Sequence, residues 1–338
     1  MEPPKIARRD LAGHRKAVLS LAWSPNGRRL ASASADESVR TWAIDPSAGA
    51  KPERSEISLL GQGGPVVAVE WHPKRDDQVA SLTDKYLRIW DLRAASKPTH
   101  AISIGGASHM SWHPDGHVVA VSSYKQNDIT FADVRKGAVL GQHTFHDQYP
   151  GPVKFLGNGS VLLVGCTTGD IDVVRVRHDC RGGESVATLQ GHVQDCTAIA
   201  VDARSDYVAS AGYDALVTFW DIAAATAVAT VPAIEYAVTS VDFSPDGARL
   251  AIAQEKGPIV VVAAPSGRRE AEVDAAASHA VRWNPRHPHI LAFGSDSRDV
   301  WNAEGRHTDA GGTVGLAFFG SSGGGGGGGG DRSGRGGR

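Results

Sequence analysis

Short runs in which apolar and polar side chains alternate recur along most of the chain, each closed by a cluster of Gly, Pro, Asn, Asp or Ser. Cys196 to Val201, Tyr207 to Ala211, Leu216 to Asp221 and Thr226 to Val231 show the pattern. An alternation of period two puts one side of each run toward a core, so each predicts a β-strand. Arg204-Ser205-Asp206 and Gly212-Tyr213-Asp214 supply the turns between them. Almost nothing carries the period of an amphipathic helix. The four-strand group itself recurs. The turn Trp23-Ser24-Pro25-Asn26-Gly27 returns as Trp71-His72-Pro73, Trp112-His113-Pro114-Asp115-Gly116, Phe243-Ser244-Pro245-Asp246-Gly247 and Trp283-Asn284-Pro285, with weaker copies at Phe155 and Val201.

Successive anchors therefore stand 40 to 48 residues apart, a period that fits the WD40 repeat, four strands to each blade of a radial ring. The expected fold is all-β, a seven-bladed WD40 β-propeller whose inner strands begin near Ala17, Val66, Ala107, Gly151, Cys196, Ala237 and Ser278. The seventh unit shows only three strands, Ser278 to Trp283, His289 to Gly294 and Thr313 to Phe319. Its outer strand is expected from Ile6 to Leu11, which precedes Gly13-His14 as Val186 to Gln190 precedes Gly191-His192. Pairing the first strand with the last would hide edge groups that otherwise invite aggregation. Residues 1–320 are thus expected to form one propeller. Ser295 to Gly312 reads as a long solvated loop in the last blade. Residues 321–338, with eight consecutive glycines, read as a disordered Gly/Arg-rich tail.

Charge and cysteine content narrow the classes further. With 35 basic residues against 37 acidic, the body has no overall pull toward nucleic acid or an anionic membrane. Cys166, Cys180 and Cys196 show neither a disulfide framework nor zinc-knuckle spacing, which fits a reducing compartment. No signal peptide and no apolar run of membrane-spanning length is read, so a soluble intracellular protein is expected.

The fifth unit holds His192, Ser210, Asp214 and Trp220, three of which are the residue types of a hydrolase triad. The first unit repeats the set as His14, Ser32, Asp36 and Trp42. One ring has no use for two copies of a catalytic site. The expected role is a structural hydrogen-bond chain in which Asp orients His, His meets Ser and Ser reaches the Trp N–H. Unit two has Gln62-Gly63 in place of Gly-His, unit three has Lys125 and Phe131 for Asp and Trp, and units four and six have Val174 and Val262 for Trp. Those blades are expected to rely more on apolar packing. His143 and His146 lie too far apart in facing for a metal site within one strand, and the glycine-rich turns lack a phosphate loop's lysine and helix. No catalytic residue, cofactor or metal is therefore assigned.

Tyr86, Tyr124, Tyr149, Tyr213 and Tyr236 fall in or beside the two turn types that share one rim of a propeller. They are either partner-binding anchors or rings packed on their own blades. Trp90-Asp91-Leu92-Arg93 matches a WDxR pattern, with Asp133-Val134-Arg135 echoing its tail. Arg332, Arg335 and Arg338 are interleaved with Gly as in segments that contact RNA, although aromatics are missing.

Several stretches are more particular. Leu87-Arg88-Ile89-Trp90-Asp91, Asp128-Ile129-Thr130-Phe131-Ala132-Asp133 and Asp214 to Asp221 look like the blades of one family, and Val281 to Phe293 followed by Gly312-Thr313-Val314 and Leu316-Ala317-Phe318 is a closing unit that WD40 repeats in general do not share. In these the chain resembles the THO complex subunit 3 family, the seven-bladed WD40 subunits of an assembly that couples transcription to mRNP packaging and nuclear mRNA export. The resemblance implies a non-enzymatic nuclear scaffold whose partners are protein subunits of a THO-like complex, with mRNA contacted indirectly or through the tail. It implies no membrane contact and no small-molecule substrate. The WDxR pattern carries the alternative, a substrate receptor of a cullin ubiquitin ligase.

Overall fold

The computed structural model describes residues 6–46, 55–94, 96–146, 148–231, 234–275, 277–296 and 311–320, and the backbone of 299–301 and 307–309. Seven four-stranded antiparallel sheets stand in a ring. From the first blade, the inner strands are Val18–Trp23, Val66–Trp71, Ala107–Trp112, Pro150–Phe155, Cys196–Val201, Val238–Phe243 and Ser278–Trp283. In the first six blades the following three strands pair outward in chain order. The seventh blade is completed from the other end of the chain. Ile6–Ala12 pairs along its whole length with Thr313–Phe319, Ile6 opposite Phe319 and Ala12 opposite Thr313. The WD40 propeller and its closing strand are as the sequence pattern predicts.

One expectation is corrected. Ser295 to Gly312 is more than a solvated loop, because Asp299–Trp301 and His307–Asp309 pair as a short antiparallel hairpin. The fall in alternation there hides a strand pair only three residues long on each side.

Each inner strand carries the same irregularity near its start. The register shifts between Val18 and Ser20, Val66 and Ala68, Ala107 and His109, Pro150 and Val153, Cys196 and Ala198, Val238 and Ser240, and Ser278 and Ala280. A bulge bends its strand and re-aims the extra side chain. Here those side chains, among them Leu19, Ser108, Pro152, Thr197 and His279, line a central cavity of about 550 Å³. An inner strand has no sheet neighbour on the axis side, so its free backbone groups need other partners. The adjoining blade supplies them. Glu70 Oε2 accepts the Trp112 N–H at 3.0 Å, Asp242 Oδ2 accepts the Trp283 N–H at 2.7 Å, and Thr197 Oγ1 donates to the Val238 carbonyl at 2.6 Å.

The recurring anchors lie between blades. Trp23, Trp71, Trp112, Phe155, Phe243 and Trp283 are all buried, each contributing roughly 2–3 kcal/mol of apolar burial. The glycine that ends the turn has an equally local cause. At Gly116 (φ 84°) and Gly159 (φ 79°), the His72 and His113 rings of the preceding blade occupy the place a Cβ would take. Only glycine tolerates both that φ and that contact. Blade seven locks onto blade one by the same turn chemistry: Asn284 Nδ2 donates to the Gly27 carbonyl at 2.8 Å, and Arg286 Nε to that of Pro25 at 3.0 Å.

Candidate interaction face

The loops that enter the inner strands and those that join the second and third strands of each blade emerge on one rim, because the antiparallel order returns them to the same side. Side-chain chains of hydrogen bonds hold these loops. In blade one, His14 Nδ1 lies 3.0 Å from Asp36 Oδ2 and its Nε2 2.7 Å from Ser32 Oγ, while the Trp42 indole N–H donates to Ser32 Oγ at 2.9 Å. In blade five, His192 reaches Asp214 at 3.1 Å and Ser210 at 2.8 Å, and Trp220 donates to Ser210 at 2.9 Å. The neutral imidazole with its proton on Nδ1 satisfies every member of both chains. Burial pushes His14 below its usual pKa, which favours that form. Burial would raise Asp36, but the Ser38 hydroxyl, the Arg15 N–H and His14 outweigh it and hold its carboxyl at about 2. Ser32 and Ser210 are wholly buried, so neither hydroxyl meets the requirement of an exposed nucleophile.

Blade two, expected to rely more on apolar packing, keeps a polar chain as well. Gln62 takes the place of the histidine: Ser81 Oγ donates to its Oε1 at 2.9 Å, its Nε2 donates to the Leu59 carbonyl, and Trp90 donates to Ser81 at 2.9 Å. The amide replaces the imidazole and needs no carboxylate behind it. Asp84 is thereby released toward the next blade, where it accepts the Tyr124 hydroxyl at 3.1 Å and binds the Lys125 ammonium at 3.0 Å. Blade six also keeps a polar tie. Gln254 Oε1 accepts the N–H groups of Glu235 and Tyr236, both at 3.2 Å.

On this braced rim the five tyrosines are exposed: Tyr86 36%, Tyr124 48%, Tyr149 55%, Tyr213 54% and Tyr236 41%. Tyr124, Tyr149 and Tyr213 line the central cavity. Tyr236 lies against Gly257 in the next loop. Tyr86 stands apart in blade two with the Arg88 guanidinium 4.7 Å from its ring centre. Val193 at 85% and Leu216 at 38% exposure join the group. Sequence reasoning passed over both, though each breaks the rule that turns are polar. The Val193 N–H donates to Asp214 Oδ2 at 3.1 Å, so an apolar side chain is held out into water by a fixed backbone. From Tyr149 to Gly257 this rim carries Asp170, Asp195, Asp214, Glu235 and Glu255 against one lysine, Lys256, among the described residues.

Other singled-out residues fall elsewhere. Arg93 directs its guanidinium to Asp91 at 2.6 Å and Asp77 at 3.2 Å of its own blade, and Arg135 lies 3.6 Å from Asp133. His143 Nδ1 donates to the Gly183 carbonyl at 3.1 Å, in the contact between the outer strands of blades three and four. Arg332, Arg335, Arg338 and the rest of 321–338 lie outside the described residues.

Comparison with known proteins agrees with this architecture. The family model for the WD domain, G-beta repeat, matches residues 6–43 and 183–221. Each match runs from an outer strand through the next blade's first three strands, and these are the two stretches that hold the complete His–Ser–Asp–Trp chains. The chain is 26% identical over 70% of its length to WD repeat-containing protein AAC3 of Dictyostelium discoideum, covering 53% of that protein. It is 27% identical over 63% of its length to mouse Striatin-4, covering 28% of it. THO complex subunit 3 of Arabidopsis thaliana is 31% identical over 306 residues, which cover 88% of this chain and 92% of that protein. A likeness at 31% identity that covers nearly the whole of both proteins makes this propeller, whose ring closes through its own first strand, a member of the THO complex subunit 3 family.

Proposed function

We propose that this chain is a non-enzymatic scaffold subunit of a nuclear THO-like complex, where it helps couple transcription to mRNP packaging and mRNA export. The observation that supports this reading best is the row of exposed tyrosines with Val193 and Leu216 on loops fixed by buried hydrogen bonds. A large ring with one polar tip loses little entropy when a partner immobilises it. Rigid loops lower that loss further. The partners are other protein subunits, and mRNA is reached through them or through 321–338. The scaffold uses no cofactor, small-molecule substrate or membrane. Affinity purification of the full chain from nuclear extract, read by mass spectrometry, tests the reading. Subunits of a THO-like assembly are expected. Recovery of a cullin adaptor in their place would overturn it in favour of a ligase receptor.

A further inference from the structure

The reading above leaves open what chemistry a partner brings to this rim. Tyr124, Tyr149, Asp195 and Tyr213 all line the mouth of the central cavity. The Tyr124 ring is fixed by its hydroxyl on Asp84 at 3.1 Å, and the backbone of Tyr213 is held by its N–H on the Asp195 carbonyl at 3.0 Å. The Asp195 carboxylate is half-buried and has no hydrogen-bond or ion-pair partner among the described residues. The neighbouring loops add Asp170, Glu235 and Glu255, set against Lys256 and against Lys125, which is paired with Asp84 and lies 5.4 Å from the Tyr124 ring centre. Aromatic faces and a free carboxylate around one opening attract a cation, and the acidic excess repels phosphate. Deeper in the cavity, Lys154 and Arg282 join the lining.

Resting on the scaffold reading, we propose that the cavity mouth in blades three to five receives a lysine or arginine side chain from a basic segment of a protein partner, held between Tyr149, Tyr213 and Asp195. Val193 and Leu216, exposed on the blade-five loops of the same rim, offer contacts to apolar side chains of that segment. A nucleic acid is the wrong ligand for this sector.

The test uses the full chain and fluorescein-labelled peptides, one alternating Arg and Leu, one alternating Lys and Leu and one alternating Glu and Leu, followed by fluorescence anisotropy at low and high salt. Both basic peptides are expected to bind and the acidic one not to, and a preference between Arg and Lys identifies which cation the mouth takes. Asp195→Asn should weaken basic-peptide binding by about tenfold, the order expected for one contact to a charged group, and should reduce its salt dependence. Because the Asp195 carboxylate holds no other group, melting should not change. Asp246→Asn, on the opposite rim, should leave binding intact. Equal binding of the acidic peptide, or unchanged affinity in Asp195→Asn, would overturn the inference. Copurification separates this failure from a failure of the scaffold reading. If Tyr149→Ser/Tyr213→Ser loses its subunits while Asp195→Asn keeps both peptide and subunits, the cationic ligand is wrong and the face stands. If both variants keep their subunits, the face is wrong as well.

Discussion

Ser32 donates to His14 Nε2 and accepts from the Trp42 indole, 2.7 and 2.9 Å away, with no access to water. Removing its hydroxyl leaves a buried imidazole nitrogen and a buried N–H unsatisfied, so Ser32→Ala should destabilise blade one by about 2–4 kcal/mol, measured as a drop in denaturation midpoint. A change smaller than that of an exposed Ser→Ala control would contradict the hydrogen-bond chain. The same chain sets a pH response. His14 titrates below 6.5 when folded, so as pH falls the unfolded chain takes the proton first and stability declines from about 6.5 downward. Asp36 adds a second loss as pH falls from 3.8 toward about 2. Both contributions are fully present at neutral pH. Thermal melts from pH 7 to pH 3 should show the decline, and His14→Gln should flatten its upper part; a flat wild-type profile would contradict the assignment. The duplicated tetrads were legible because identical spacings exposed them as architecture. The hydrogen-bond role of Gln62 was not, since such a role depends on reach and geometry rather than on residue type.

Strands carry the fold's legibility, and the closing strand is where it matters most. Ile6–Ala12 covers the edge of Thr313–Phe319 through seven register pairs, and Arg8 places its guanidinium 5.0 Å from the Phe293 ring centre while donating to the Asp274 carbonyl. Deleting residues 1–12 should uncover that edge, lower the melting temperature and promote self-association, because an unpaired strand offers a full row of donors and acceptors. Light scattering beside a thermal melt checks this. A monomeric truncation with unchanged melting would mean that the ring closes otherwise. Most strand bounds were readable to within a residue or so where period-two alternation met a Gly or Pro turn, but the outer strand expected from Val186 begins at Gly183. The hairpin at Asp299–Trp301 was not readable, because three residues are too few for alternation to register. The bulges near the start of every inner strand were equally hidden, since they follow from fitting seven sheets around one axis.

At the scale of the molecule, near-balanced charge overall conceals a local asymmetry: one rim joins exposed tyrosines to an acidic sector from Tyr149 to Gly257. The sequence placed the tyrosines on a common rim through the turn types, but whether each ring faces water depends on how neighbouring blades approach. That is a property of the closed ring. Val193 shows the limit well, for an apolar residue in a polar turn is a local signal that does not say whether the side chain packs inward or stands in water. The central claim, that this face holds the partners, is tested most directly by replacing Tyr149, Tyr213 and Tyr236 together with Ser in the full chain and measuring subunit copurification beside thermal melting. Such anchors are worth about 2 kcal/mol each on truncation. The account predicts that the variant melts as the wild type does and loses its subunits. A variant that stays folded and retains them would contradict it.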